Sequence, residues 1–121
     1  MQVSAIVLAA GQGYRFKSKI PKLLVAINSK PIIIYSLGTL SRHPSVRDIV
    51  VVVNAKNSKS IISQISQYKI GKISRLVKGG RLRQDSVRNG LKVMDSHTDL
   101  VLVHDAARPF IDKKLISSVI R

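Results

Sequence analysis

Short apolar runs recur along the chain, separated by longer segments of mixed polarity. The runs Val3–Ala9, Ile49–Val53 and Leu100–Val103 are rich in Val, Ile and Leu and predict buried strands. Ile73–Val77 predicts a weaker strand. The two glycines Gly79 and Gly80 end it. Because none of these runs alternates apolar with polar positions, we expect helices to cover both faces of the sheet that they form.

Helical apolar spacing separates these strands. Pro31 suits the first position of a helix that runs to about Arg42, and Leu23–Ile27 predicts a short extended piece before it. Apolar residues at helical spacing predict three further helices. The first carries Ile61, Ile62, Ile65 and Tyr68, the second Val87, Leu91 and Met94, and the third Leu115, Ile116, Val119 and Ile120. Asp112 is predicted to be the N-cap of the third helix. Strands that alternate with helices predict an α/β fold, a Rossmann-like three-layer sandwich with a mostly parallel sheet.

The charge of the chain favours anionic ligands. The net charge is +15, and all six acidic residues are aspartates, so the surface attracts polyanions. Most of this excess charge is expected to lie on a solvated surface, because the basic residues form no run of five or more.

Cysteine is absent from the sequence, which excludes disulfides and a cysteine nucleophile. No apolar run is long enough to span a membrane, and the N-terminal run lacks a basic leader, so a cytoplasmic protein is expected.

Small and polar residues follow the first predicted strand. In the segment LAAGQGYRF, which ends at Phe16, the small residues allow a ligand close to the backbone, and Arg15 could contact phosphate oxygens. The dinucleotide and Walker patterns both fail here. An ordinary strand-to-helix turn is the alternative. Lys22, in the pair Pro21-Lys22, could stabilise phosphate charge or could be a plain surface lysine.

Two later segments follow the third and fourth predicted strands. KGGRLRQDSV, from Lys78, leads into a helix start that could hold an anion or a base edge. The alternative is a turn in which Asp85 or Ser86 is a simple N-cap. In HDAARP, Asp105 could hold Mg²⁺, or it could cap a backbone amide. His104 is expected to pack and to donate hydrogen bonds rather than to act as a general base.

Taken together, these segments resemble the 2-C-methyl-D-erythritol 4-phosphate cytidylyltransferase family. The resemblance rests on LAAGQGYRF, Pro21-Lys22, GGRLRQDSVRNGL and LVHDAARPF, and the last two are the more specific. It implies a nucleotide-diphospho-sugar transferase type of fold. It also implies a reaction that joins CTP to a polyol phosphate with a divalent metal, usually Mg²⁺, and releases pyrophosphate. Catalysis then consists of positioning and charge neutralisation.

The resemblance also implies a role for individual residues. Arg15 and Lys22 would neutralise the α-phosphate and the leaving pyrophosphate, and Asp105 would face the metal. The remaining implied contacts are Ala9, Ala10, Gly11 and Gly13 along the phosphates, Gly80, Arg83 and Ser86 beside the cytosine and ribose, and Ala106 and Arg108 in the pocket wall.

The resemblance covers residues 1–121 as the N-terminal, nucleotide-binding part of a catalytic domain that is expected to be incomplete at its C-terminus. Family members of full length are expected to be homodimers, and a separate chain could supply the second half. The strand Leu100–Val103 would then be an exposed edge, so we expect the isolated chain to be poorly soluble or inactive. Two alternatives are a cytidylyltransferase for another polyol phosphate, such as ribitol 5-phosphate, and a non-catalytic module that binds nucleotide or nucleic acid. Five aromatic residues and dispersed charge disfavour nucleic acid.

Overall fold

A computed structural model describes residues 1–11, 26–27, 29–108 and 111–120 of the chain. In chain order the elements are β1 (Val3–Leu8), β2 (Ala26–Ile27), β3 (Lys30–Pro31), α1 (Ile32–Arg42), β4 (Val46–Val53), α2 (Ser58–Gln67), β5 (Ile73–Lys78), α3 (Arg83–Lys92), β6 (Leu100–Asp105) and α4 (Lys113–Ile120). The predicted alternation of strands and helices is confirmed.

The main sheet has four strands in the order β5-β4-β1-β6, and each neighbouring pair is parallel. Ala5 of β1 lies opposite Ile49 on one side and Leu102 on the other. A separate antiparallel pair joins β2 to β3. Because parallel strands end at the same edge of a sheet, the segments after β1, β4, β5 and β6 all start from one edge.

Helices cover both faces of this sheet, as the continuous apolar strands predict. The larger core lies under α1, α2 and α4, and it includes Val7, Leu37, Ile61 and Ile116. The smaller core lies under α3 and is formed around Ile6 together with Val50 and Val52. Gly90 of α3 lies so close that an added Cβ would be 3.1 Å from the Ile6 side chain. The three-layer α/β architecture is therefore confirmed.

Some helix positions differ from the sequence-based expectation. Pro31 is the N-cap of α1 rather than its first residue. Apolar residues on three helices are exposed, although their spacing predicted packing: Ile62, Leu91, Leu115 and Val119. A helix that packs on a sheet through one stripe buries about every third or fourth residue, so neighbours of the stripe remain in solvent. Asp112 does cap α4, since its Oδ1 accepts the N–H of Leu115 at 2.7 Å.

The strand β6 lies at one edge of the described sheet, and the side chain of Val103 there is 41% exposed. The low solubility or inactivity expected of the isolated chain stays a prediction. None of the described helices is long and apolar enough to cross a membrane.

His43, at the C-terminus of α1, is a buried histidine in its neutral form. Its Nδ1 accepts the backbone N–H of Ser45 at 3.1 Å, so the proton is on Nε2, which lies 2.9 Å from Ser117 Oγ of α4. Burial is the main cause that lowers the pKa of His43 below its usual value, and the charges of Lys113 and Lys72 lower it further. A protonated ring would lose the bond from Ser45.

We expect the free energy of unfolding to fall as the pH drops below about 6.5, the ordinary histidine pKa. The folded pKa is lower than the unfolded one, so the unfolded chain binds more protons between the two values and gains stability relative to the fold. Urea midpoints measured between pH 7.5 and pH 5 test this. His43→Gln should show a shallower decline than the parent. A parent midpoint that does not change with pH would contradict the prediction.

Candidate functional site

A cavity of about 720 Å³ opens at the carboxyl edge of the sheet. It is bounded by the ends of β1, β4 and β6 and by the turn that leads into α3. The described lining residues are Leu8, Ala9, Ala10, Gly11, Asn54, Gly80, Arg81, Leu82, Arg83, Ser86, Asp105, Ala107 and Arg108. This is the position at which open α/β sheets bind ligands.

The structure brings most of the sequence-predicted site residues together in this cavity. Eight of them line it: Ala9, Ala10, Gly11, Gly80, Arg83, Ser86, Asp105 and Arg108. The predictions for Gly13, Arg15 and Lys22 lie outside the described residues.

Ala106 is not in the cavity wall, which corrects its predicted place there. Its side chain is 0% exposed and belongs to the larger core. The N–H of Ala106 donates to Leu8 O at 2.9 Å, just beyond the end of β6, and this bond holds the residue beside β1 with its side chain in the core. The next residue, Ala107, lines the cavity instead.

The turn before α3 is braced by its own side chains. Ser86 is buried, and its Oγ accepts the backbone N–H of Gly80 at 3.2 Å. The carboxylate of Asp85 accepts the N–H of Leu82 at 3.1 Å, and Leu82 is the N-cap residue. Neither Asp85 nor Ser86 is therefore a simple N-cap. They lie inside the helix and hold the preceding turn against it, which fixes the position of Gly80 at the cavity.

The charge of the cavity is predominantly positive. Arg81, Arg83 and Arg108 line it, and Asp105 is the single carboxylate among the described lining residues. Arg83 Nε lies 3.5 Å from Asp105 Oδ1, which links the start of α3 to the end of β6. The side chain of Arg83 is 62% exposed and that of Asp105 is 38% exposed, so water screens this pair and it contributes at most about 1 kcal/mol to stability. The helix N-terminus of α3 adds partial positive charge. Such a cavity favours an anionic ligand.

His104 anchors the segment that carries Asp105 and Arg108. Its Nε2 lies 3.0 Å from Ser36 Oγ of α1 and 2.9 Å from the carbonyl oxygen of Arg108. Ser36 Oγ also donates to that carbonyl at 3.1 Å. Burial lowers the pKa of His104 and outweighs the opposing hydrogen bond to the Arg108 carbonyl. The neutral ring packs and hydrogen-bonds, as expected from the sequence, and Ser36 is a support that the sequence did not indicate.

Among the described residues, the cavity offers a divalent cation one carboxylate, that of Asp105. The described residues contain no group of three or more acidic, histidine or cysteine side chains that could hold a metal by themselves. Asp105 is a single carboxylate beside an anion-attracting cavity. Mg²⁺ is commonly held by one or two carboxylates plus phosphate oxygens and water, so this donor set is compatible with a magnesium–nucleotide complex.

Comparisons with known proteins converge on one family. Residues 3–121 match the sequence profile of the family described as IspD, 2-C-methyl-D-erythritol 4-phosphate cytidylyltransferase. A curated relative of that name from Clostridium botulinum (strain Langeland) is 43% identical over 118 residues, which cover 98% of this chain and 52% of the relative. Another, from Shouchella clausii, is 40% identical over 119 residues, with the same coverage of 98% and 52%.

Two solved structures that are similar to this chain carry related enzyme names. The crystal structure of 4-diphosphocytidyl-2C-methyl-D-erythritol synthase from Anaerococcus prevotii superposes with a TM-score of 0.83 at 31% identity, over 98% of this chain and 49% of that one. The bifunctional IspDF from Campylobacter jejuni gives a TM-score of 0.77 at 29% identity, over 99% of this chain and 30% of that one. The chain thus spans about half the length of the curated relatives that it matches.

Proposed function

This chain belongs to the 2-C-methyl-D-erythritol 4-phosphate cytidylyltransferase family, and on that premise we propose that its cavity binds CTP for the transfer of CMP to a polyol phosphate. The proposed acceptor is 2-C-methyl-D-erythritol 4-phosphate, and the products are CDP-methylerythritol and pyrophosphate. An oxygen of the acceptor phosphate attacks the α-phosphorus of CTP, and the bond from that phosphorus to the leaving pyrophosphate breaks. One observation supports this most: three strand ends and a helix start meet around a cavity rich in arginine.

The described residues are suited to the nucleotide side of this reaction. The guanidinium groups of Arg83 and Arg108 offer positive charge to the triphosphate, and bidentate contacts to phosphate oxygens are the usual mode of arginine. Gly80 and the braced turn around Ser86 offer a close approach to the backbone for the base and ribose. The transfer needs no covalent enzyme intermediate, so positioning and charge neutralisation account for the catalysis.

Asp105 is the described residue that would hold Mg²⁺ with the triphosphate. The metal, when bound, would neutralise phosphate charge as the pyrophosphate leaves. Arg83, which pairs with Asp105 in the structure, would then turn its charge to the nucleotide. Arg15 and Lys22, which lie outside the described residues, are proposed to neutralise the α-phosphate and the pyrophosphate.

We further propose that the acceptor side of the site is built from protein beyond this chain's half of the family length. A longer form of the protein or a complementing second chain would supply it, and the complete enzyme would be a cytoplasmic homodimer. The chain by itself is then expected to bind CTP without turning it over.

Calorimetric titration of the chain with CTP, UTP and ATP in the presence of Mg²⁺ tests the proposal. CTP should bind at least about tenfold more tightly than UTP, because a site whose polar groups pair with cytosine leaves them unpaired when uracil binds. Equal affinity for the three nucleotides would contradict a cytidylyltransferase site.

Binding of a DNA duplex, measured beside CTP binding, tests whether the high positive charge of the chain alone accounts for its affinity for anions. Binding of the duplex should be weak and should fall with salt, since counterion release drives it. CTP binding should change far less over the same range of salt. If DNA binds tightly while CTP does not bind, the nucleic-acid alternative is favoured.

A further inference from the structure

Asn54 and Asn57 lie at the carboxyl end of β4, beside the cavity but outside every segment that the sequence singled out. Asn54 lines the cavity, and the side chain of Asn57 is 1% exposed. The two side chains reach across to the end of β1. Asn57 Nδ2 donates to the carbonyl oxygen of Ala9 at 2.8 Å, and Asn54 Nδ2 donates to that of Ala10 at 3.0 Å.

The orientation of both amide groups is fixed by the backbone around them. Asn57 Oδ1 accepts the N–H of Asn54 at 3.0 Å. Asn54 Oδ1 accepts the N–H groups of Lys56 and Asn57, both at 2.9 Å. Because a backbone N–H must meet an oxygen, the Nδ2 group of each amide has to face the carbonyl of Ala9 or Ala10.

We infer that Asn54 and Asn57 are positioning residues for the nucleotide-binding loop that starts at Ala9. This inference rests on the proposed function. A carbonyl oxygen that faced a triphosphate would repel it, whereas a carbonyl bound to an asparagine amide is held on the β4 side. The two amides therefore set the direction in which Ala9, Ala10 and Gly11 enter the cavity wall. Preorganised backbone groups bind an anion better than mobile ones, because less ordering is needed on binding.

The test compares Asn54→Ala and Asn57→Ala with Asn89→Ala as the matched control. Asn89 Nδ2 also donates to a backbone carbonyl, that of Lys78 at 3.0 Å, but neither residue lines the cavity. All three substitutions are neutral, so the charge of the chain does not change. The measurements are the dissociation constant for CTP with Mg²⁺, corrected to the folded fraction, and the ¹⁵N order parameters of Ala10 and Gly11 without nucleotide.

Asn54→Ala and Asn57→Ala should each weaken CTP binding by about tenfold, as expected when the hydrogen bond that holds a loop carbonyl is lost. They should also lower the order parameters of Ala10 and Gly11, while Asn89→Ala changes neither quantity. A merely structural role would lower the unfolding midpoint and leave the affinity of the folded molecules unchanged, and that result overturns the inference. If Asn57→Ala does not fold, Asn54→Ala decides, because its side chain is only half-buried.

A different result would show that the proposed function itself is wrong. If the parent chain does not bind CTP, the proposed function of the cavity is wrong for this chain, and the order parameters alone judge the positioning role. Lower order parameters in the two variants than in Asn89→Ala then support that role, and equal values overturn it.

Discussion

Gly79→Ala is expected to lower the free energy of unfolding by about 2–3 kcal/mol, the upper part of the range for overpacking a well-filled site. A Cβ at this position would overlap the Cβ of Ala10 and would lie 2.7 Å from Ser86 Oγ and 3.2 Å from the side chain of Val52. All three neighbours are tied to the sheet or to α3. The added methyl group can be accommodated only if the end of β1 and the turn before α3 move apart.

That movement would also change the cavity, since Ala10 and Ser86 both line it. CTP affinity should therefore fall together with stability, which urea denaturation and calorimetric titration can measure on the same sample. Gly71→Ala is the matched control, because nothing lies within 4 Å of its added Cβ and none of the described glycines has a positive φ. It should leave stability unchanged or raise it slightly. Equal stability of the two variants would contradict the close packing of Gly79.

The sequence predicted the layers of this fold well and the neighbours of each strand less well. The continuous apolar run at Ile49–Val53 and the helical spacing after it indicate a strand and a helix from local pattern alone. The placement of β1 between β4 and β6 depends on contacts between residues far apart in the chain, which no local pattern encodes. The α/β architecture could therefore be predicted, whereas the strand order required the structure.

The same limit explains which parts of the site were predicted. Segments rich in glycine or charge follow the first, third and fourth predicted strands, and eight of the site residues predicted in them line one cavity. The place of Ala106 in the cavity wall was implied by the family resemblance, and a motif does not specify which side chain of a segment turns into the core, where Ala106 lies. Asn54 was missed because an asparagine after a strand is also typical of an ordinary turn. The signal that could have found it is topological, since β4 ends at the same edge as the other strands.

Ser36 was missed for a different reason. It lies within the apolar helix α1, where a serine reads as a neutral position. Its side chain is buried only because α1 packs beside the segment that follows β6, so its bond to Arg108 O depends on tertiary structure. A sequence motif does not reveal residues of this kind, which lie on one element and position a site on another.

Asp105→Asn is expected to remove most of the gain in CTP affinity that Mg²⁺ provides, a loss of about tenfold to a hundredfold for one charged contact. Asp105 is the single carboxylate among the described residues that line the cavity, and carboxylate oxygens are ligands that Mg²⁺ prefers. The same change should leave metal-free CTP binding unchanged or make it tighter. The reason is that Arg83, whose Nε lies 3.5 Å from Asp105, loses its partner and can face the triphosphate.

These opposite signs separate a metal-holding carboxylate from a carboxylate that only balances Arg83. Affinities measured with Mg²⁺ and with a chelator, for the parent, Asp105→Asn and Asp95→Asn, give the comparison. Asp95 is exposed in the turn after α3, and its substitution changes the net charge by the same amount without reaching the cavity. Stability should change little in Asp105→Asn, because an exposed ion pair contributes about 1 kcal/mol or less. An intact magnesium gain in Asp105→Asn would show that Asp105 does not hold the metal. An equal loss in Asp95→Asn would show that the loss follows the net charge of the chain rather than a contact in the cavity.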